Sequence, residues 1–166
     1  MQSINILTED NYSLSAHLFE SKNSNRKLLL INSATGVKQQ IYFSFAQFFS
    51  EQGFTVITYD YRGIGLSKPD EMKGFEASMR IWGTKDYKAV TNYIKTNFPD
   101  DQKFCLGHSV GALILGMNKD SEMFDEFIFV GTQNAFVGNL KLRTKIEAYL
   151  GFGIAQPLST RLLGYF

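Results

Sequence analysis

Histidine is nearly absent from these 166 residues: there are two, His17 and His108. There is one cysteine, Cys105, and there are three prolines. A lone cysteine excludes an intrachain disulfide. So few His and Cys cannot build a clustered ligand set, so no metal and no other cofactor is expected. Cys105 lies in the apolar run Phe104-Cys105-Leu106 and reads as a buried, inert thiol. Charge of one sign is also missing: 17 Lys and Arg face 16 Asp and Glu, for a net charge of +1. That leaves no electrostatic footprint for nucleic acid or an anionic membrane surface. No stretch reaches 18 uninterrupted apolar residues, so no membrane span is expected. The opening MQSINILTEDNYSLSAHLFE has no basic segment followed by an apolar one, which excludes a signal peptide and makes a cytoplasmic location the expectation.

What is present suits one soluble domain with a real core: 44% hydrophobic and 20% charged residues. Two strand-like segments come first, Ser3–Leu7 and Tyr12–Phe19. In the second, Leu14, Ala16 and Leu18 alternate with Ser13, Ser15 and His17, so His17 is expected on an exposed polar face. Lys27–Asn32, KLLLIN, and the later FTVITYD are continuous apolar runs, as in strands buried on both faces. Between them Ile41, Phe45, Phe48 and Phe49 fall at helical spacing, with Gly53 closing the helix. A helix from about Thr84 to Asn97 presents Tyr87, Val90 and Ile94 and stops at Phe98-Pro99. Then KFCLG reads as a strand, Ser109–Met117 as a helix, FDEFIFVG as a strand and Asn139–Leu150 as a helix. After the opening hairpin, strands and helices alternate through four strands. This implies an α/β fold with a mostly parallel central sheet and helices on both faces.

One stretch carries chemistry. FCLGHSVGALILG holds Gly107-His108-Ser109-Val110-Gly111, the G-x-S-x-G pattern, directly after an apolar strand and directly before an apolar helix. Such a serine sits on a tight, strained turn, where side chains two positions before and after it would clash; glycines occupy both. The turn lifts the Ser109 hydroxyl above the sheet and leaves the Val110 N–H free to donate to an oxyanion, with the helix dipole favouring negative charge. The plainer alternative is that the glycines only permit close helix–strand packing. A second donor would come from the loop Asn32-Ser33-Ala34-Thr35-Gly36, with Ala34 N–H the first choice and Thr35 the second. In Asp60-Tyr61-Arg62-Gly63-Ile64-Gly65-Leu66-Ser67 a phosphate loop fails, because Lys68 stands where a third glycine belongs. Asp60 and Arg62 are read as holding that loop by an ion pair and backbone hydrogen bonds rather than as catalytic groups.

The NSATG loop, YDYRGIGLS, a helix and then GHSVG, in this order and at these separations, closely resemble the α/β-hydrolase superfamily. Within it the chain is similar to predicted bacterial α/β-hydrolases of esterase- and lysophospholipase-like outline. The resemblance covers nearly the whole chain, although the usual His-Gly before the oxyanion loop is Asn32-Ser33 here. It implies Ser109 as nucleophile, Val110 and Ala34 N–H as oxyanion donors, and a small-molecule acyl or ester substrate. It also implies a core over 1–138 and the start of a cap over 139–166. In that fold the acid and the histidine follow the serine. Here no histidine follows Ser109, Gly131-Thr132-Gln133-Asn134 offers no carboxylate, and His108 is expected to point away from the hydroxyl.

Two expectations follow. The favoured one is a serine hydrolase core truncated before its last strands, since LGFGIAQPLSTRLLGYF is apolar with no polar tail and EFIFV would become an open hydrophobic edge. Self-association through that edge or the apolar end is then expected, and so is weak activity or none. The alternative is a non-catalytic α/β-hydrolase-like binding or partner module.

Overall fold

The computed structural model describes residues 1–132 and 137–163. Six strands form one sheet: β1 (Gln2–Leu7), β2 (Ser13–Phe19), β3 (Lys27–Asn32), β4 (Phe54–Tyr59), β5 (Gln102–His108) and β6 (Glu126–Val130). Their order is β1-β2-β4-β3-β5-β6. β1 and β2 pair antiparallel and β2 joins β4 antiparallel, whereas β4, β3, β5 and β6 run parallel. The helices are α1 (Phe43–Glu51), α2 (Met79–Ile81), α3 (Tyr87–Asn97), α4 (Val110–Leu115), α5 (Leu142–Ala148) and α6 (Gln156–Leu163).

The continuous apolar runs arise because the central strands are covered on both faces. Leu28, Leu30, Ile57 and Cys105 join a core with Tyr87, Val90 and Ile94 of α3 and Ile114 of α4. Their neighbours Leu29, Ile31, Val56 and Leu106 point to the other face, against Tyr42 and Ala46 at the start of α1. Two-residue periodicity thus splits each strand between two cores. Burial pushes the Cys105 thiol far up, out of reach of thiolate chemistry at neutral pH.

The structure corrects three expectations. On α1 the buried residues are Ala46 and Ser50, with Tyr42 buried just before it; of the four expected at helical spacing, Ile41, Phe45 and Phe48 are exposed and Phe49 is half-buried against the second core. A 3-10 turn over Gln39–Tyr42 precedes the helix and turns its face by one residue. His17 is buried, 6% exposed, not displayed on a polar face. It packs against Phe43 and is held by Ser3 Oγ at 3.1 Å and Gln39 Oε1 at 3.0 Å. Finally, the helix expected from Thr84 starts at Met79, where Ser78 Oγ caps the Ile81 N–H. It runs through a π turn at Trp82–Asp86 into α3, and that turn breaks the 3.6-residue period that would have shown the start.

By contact the chain divides into two units, Met1–Pro69 with Glu76–Thr132, and Asp70–Phe75 with Gln133–Phe166. The first holds the sheet. In the second, α5 passes through a π turn at Tyr149–Ala155 into α6, so helical structure continues well past Leu150. Gln133 and Asn134, read as lacking a carboxylate after β6, lie outside the described residues.

Candidate functional site

The β5–α4 junction is a strand, one residue and a helix. β5 ends at His108, α4 begins at Val110, and Ser109 between them has φ +52° and ψ −115°. A non-glycine residue seldom occupies this region, and such strain persists only where surrounding structure imposes it. Here the neighbours do so. Ser109 N–H donates to Val130 O of β6 at 2.9 Å, and Ala112 N–H donates to Ser109 O at 3.1 Å. A Cβ on Gly107 would lie 2.6 Å from Ala112 Cα, and one on Gly111 would overlap the Asn32 carbonyl. Both glycines are therefore required by close backbone approach. Asn32 reinforces the contact: its Nδ2 donates to Gly111 O at 3.3 Å, and its Oδ1 accepts from Tyr59 Oη at 2.9 Å.

This packing sets the loop after β3 against the first turn of α4. Ser109 is half-buried, and its Oγ makes no hydrogen bond among the described residues. Val110, first in its helix, has no intrahelical acceptor for its N–H. α4 has six residues, so its macrodipole is small and the amide itself is the useful donor. Ala34 N–H donates to Tyr42 Oη at 3.1 Å, and Tyr42 Oη lies 2.9 Å from His108 Nδ1. No acceptor is found for the Thr35 N–H among the described residues. Ser33 Oγ is buried beside the Tyr42 hydroxyl.

The histidine ring at 108 lies on the α1 side of the sheet. With Tyr42, Phe45, Leu106 and Val130 it lines an apolar groove of about 180 Å³. His17 is committed to Ser3 and Gln39. Neither imidazole therefore meets the Ser109 hydroxyl.

Asp60 and Arg62 do hold the loop after β4, but not by pairing with each other. Asp60, fully buried, accepts from Gln39 N–H (2.8 Å), Gln39 Nε2 (2.9 Å) and Leu66 N–H (2.9 Å). Arg62 grips Asp10 with both terminal nitrogens, at 2.8 and 2.9 Å, and Asp86 through Nε at 2.7 Å. The Arg62 bonds hold the Asp10 carboxyl well below the usual range. Burial raises Asp86 to about 6 despite the same arginine. The opposite signs reflect exposure: the Asp86 side chain is 0% exposed and the Asp10 side chain 30%.

Tyr42, Gln39 and Asp86 went unnoticed in the sequence. Each sits inside a helix or turn whose local pattern carries no chemical signal, and only the tertiary fold brings them to the loops. Among the described residues no group of three His, Cys, Asp or Glu could hold a metal, and no helix is long and apolar enough to cross a membrane.

Known proteins give three comparisons. No curated protein matches the chain. Among solved structures, a thermostable carboxyl esterase from Bacillus coagulans, in complex with glycerol, is similar at 20% identity and TM-score 0.71, over 92% of this chain and 51% of that one. The α/β hydrolase GrgF from Penicillium sp. sh18 is similar at 21% identity and TM-score 0.72, over 98% and 55%. The α/β serine hydrolase XC6422 from Xanthomonas campestris, described as lacking a lid, gives 14% and 0.63, over 84% and 63%. The chain thus spans roughly half to three-fifths of the length of these neighbours, and they establish the fold. The family described as "Serine aminopeptidase, S33" matches residues 23–139. With that match across most of its length and an α/β-hydrolase sheet beneath it, this chain belongs to the S33 serine aminopeptidase family of α/β-hydrolases.

Proposed function

We propose that the chain carries the nucleophile of a serine hydrolase that transfers an acyl group from an ester or related substrate to water. The observation supporting this most strongly is Ser109, a non-glycine residue held at φ +52° between β5 and α4 with its hydroxyl unengaged among the described residues. In this reading Ser109 Oγ attacks the acyl carbon and its proton passes to a general base. The carbonyl oxygen becomes an oxyanion held by Val110 and Ala34 N–H. Collapse expels the alcohol with a proton, and water repeats the sequence on the acyl-enzyme. The residues from about Asn139 would begin a cap over the substrate.

Neither His17 nor His108 is placed to be that base. The reading therefore assigns the base and its acid partner to residues outside these 166, which accords with the partial span of the neighbours. Without a base, the 166 residues alone should lose on the order of 10⁴-fold in turnover.

The test uses the chain as its gene encodes it. A fluorophosphonate should label Ser109, and a p-nitrophenyl ester should be hydrolysed. Ser109→Ala should abolish both. An amino-acid p-nitroanilide in parallel separates ester from aminopeptidase chemistry. A folded protein that ignores all three reagents would favour the binding module instead.

A further inference from the structure

The Tyr42 hydroxyl stands where two groups of the proposed site meet. Its Oη accepts the Ala34 N–H at 3.1 Å and lies 2.9 Å from His108 Nδ1. The ring is fixed: Tyr42 is 9% exposed, ends the 3-10 turn before α1 and packs edge-on to His108. Burial raises its pKa, so the phenol stays protonated and can donate.

An amide has one hydrogen. A substrate oxygen that takes the Ala34 N–H must sit about 3 Å from the nitrogen, in the same hemisphere as Oη. Two oxygens gathered around one N–H come into contact. Without a hydrogen between them they repel, and with the phenol proton between them they attract. We propose that Tyr42 is a catalytic residue of this site: its Oη–H turns from His108 Nδ1 to the oxyanion formed at Ser109, as a side-chain donor beside the Val110 and Ala34 amides. The inference rests on the hydrolase reading above. His108 is a positioning residue, holding the phenol through Nδ1 until the oxyanion forms. The proton stays on Oη throughout, so only hydrogen bonds are exchanged.

This exchange favours the transition state. A neutral carbonyl is no better an acceptor than an imidazole nitrogen, so bound substrate leaves the Tyr42–His108 bond in place. The oxyanion is charged, and hydrogen bonds to charged acceptors are roughly twice as strong. A contact made only in the transition state raises kcat and leaves KM alone.

The experiment is Tyr42→Phe in the gene-encoded chain, with p-nitrophenyl acetate as substrate and fluorophosphonate as the Ser109 label. We expect kcat to fall about 100-fold with KM within about twofold of wild type, as for loss of one oxyanion donor. His108→Leu should lower kcat less, and the double variant should fall no further than Tyr42→Phe, because His108 acts through the phenol. If Tyr42→Phe does not fold, His108→Leu carries the test and must still lower kcat. Unchanged or raised kcat, or a rise in KM alone, would reduce Tyr42 to a resting occupant of the Ala34 amide. Wild-type protein that neither labels nor turns over defeats the hydrolase reading and this inference together. Labelled wild type with an unimpaired Tyr42→Phe defeats this inference alone.

Discussion

At the scale of single residues, the β5–α4 junction is governed by atoms that are missing. Gly111 lies inside α4, where alanine would ordinarily gain about 1 kcal/mol in helix propensity. At this position the added methyl would meet the backbone of Asn32 and Ser33, which cannot rotate away as a side chain could. Gly111→Ala should therefore destabilise, by about 1–3 kcal/mol for an overpacked site. At this chain length each kcal/mol lowers the melting temperature by about 2–4 °C. A variant that melts at or above the wild-type temperature would show that α4 is not pressed against the end of β3. The same contact explains Asn32, whose amide links β3 to Gly111 where a histidine was the family expectation.

At the scale of elements, the loop after β4 is held by buried charge, and this makes its stability depend on pH. Asp86 has its folded pKa raised by burial to about 6, above its unfolded value. Between about pH 4 and 6 the folded state therefore binds more protons than the unfolded state, and the Asp86 contribution falls as pH rises across that window. Asp10 has the opposite sign. Arg62 depresses its pKa, so its contribution is present above its unfolded value near 4 and is lost as pH falls below it. Asp86→Asn should then make the dependence of melting temperature on pH more positive between about 4 and 6, with a lower melting temperature from the lost Arg62 contact. Identical slopes for the two proteins would remove Asp86 as the source. The same elements show where sequence was legible. Continuous apolar runs revealed the central strands, and Tyr87, Val90 and Ile94 marked the inner face of α3, because burial on a regular element is a local signal. The face of α1 and the burial of His17 were not legible, because a 3-10 turn reset the first and packing by Phe43 decided the second. At the site, the serine and its glycines were visible as a motif. Tyr42 was not, since eight residues separate it from Ala34 and only the fold joins them.

At the scale of the whole molecule, the sheet is unevenly finished. β1 ends one side as a strand of a hairpin, while β6 ends the other with Phe127, Ile128, Phe129 and Val130 between 41% and 59% exposed. Sheet edges usually carry charge, proline or a covering element, because unpaired N–H and C=O groups beside apolar side chains template pairing with another chain. Glu126 gives β6 one charge, at its start and away from the aromatic residues. Expressed alone, the 166 residues should therefore self-associate through β6. Phe129→Lys places a charge amid that apolar stretch, so each added chain would bring like charges together across the new pair. Sedimentation velocity should show association weakened by about tenfold, equivalent to about 1.4 kcal/mol. In the gene-encoded chain, the same substitution should leave a monomer unchanged in mass but lower its melting temperature if further strands cover β6. A 166-residue chain that stays monomeric at high concentration with Phe129 intact would show that this edge is protected by some other means. Self-association unaltered by Phe129→Lys would instead direct attention to the apolar helical segment running from α5 through the π turn to α6, whose Leu142, Tyr149, Phe152 and Leu162 are more exposed than any apolar residue of β6.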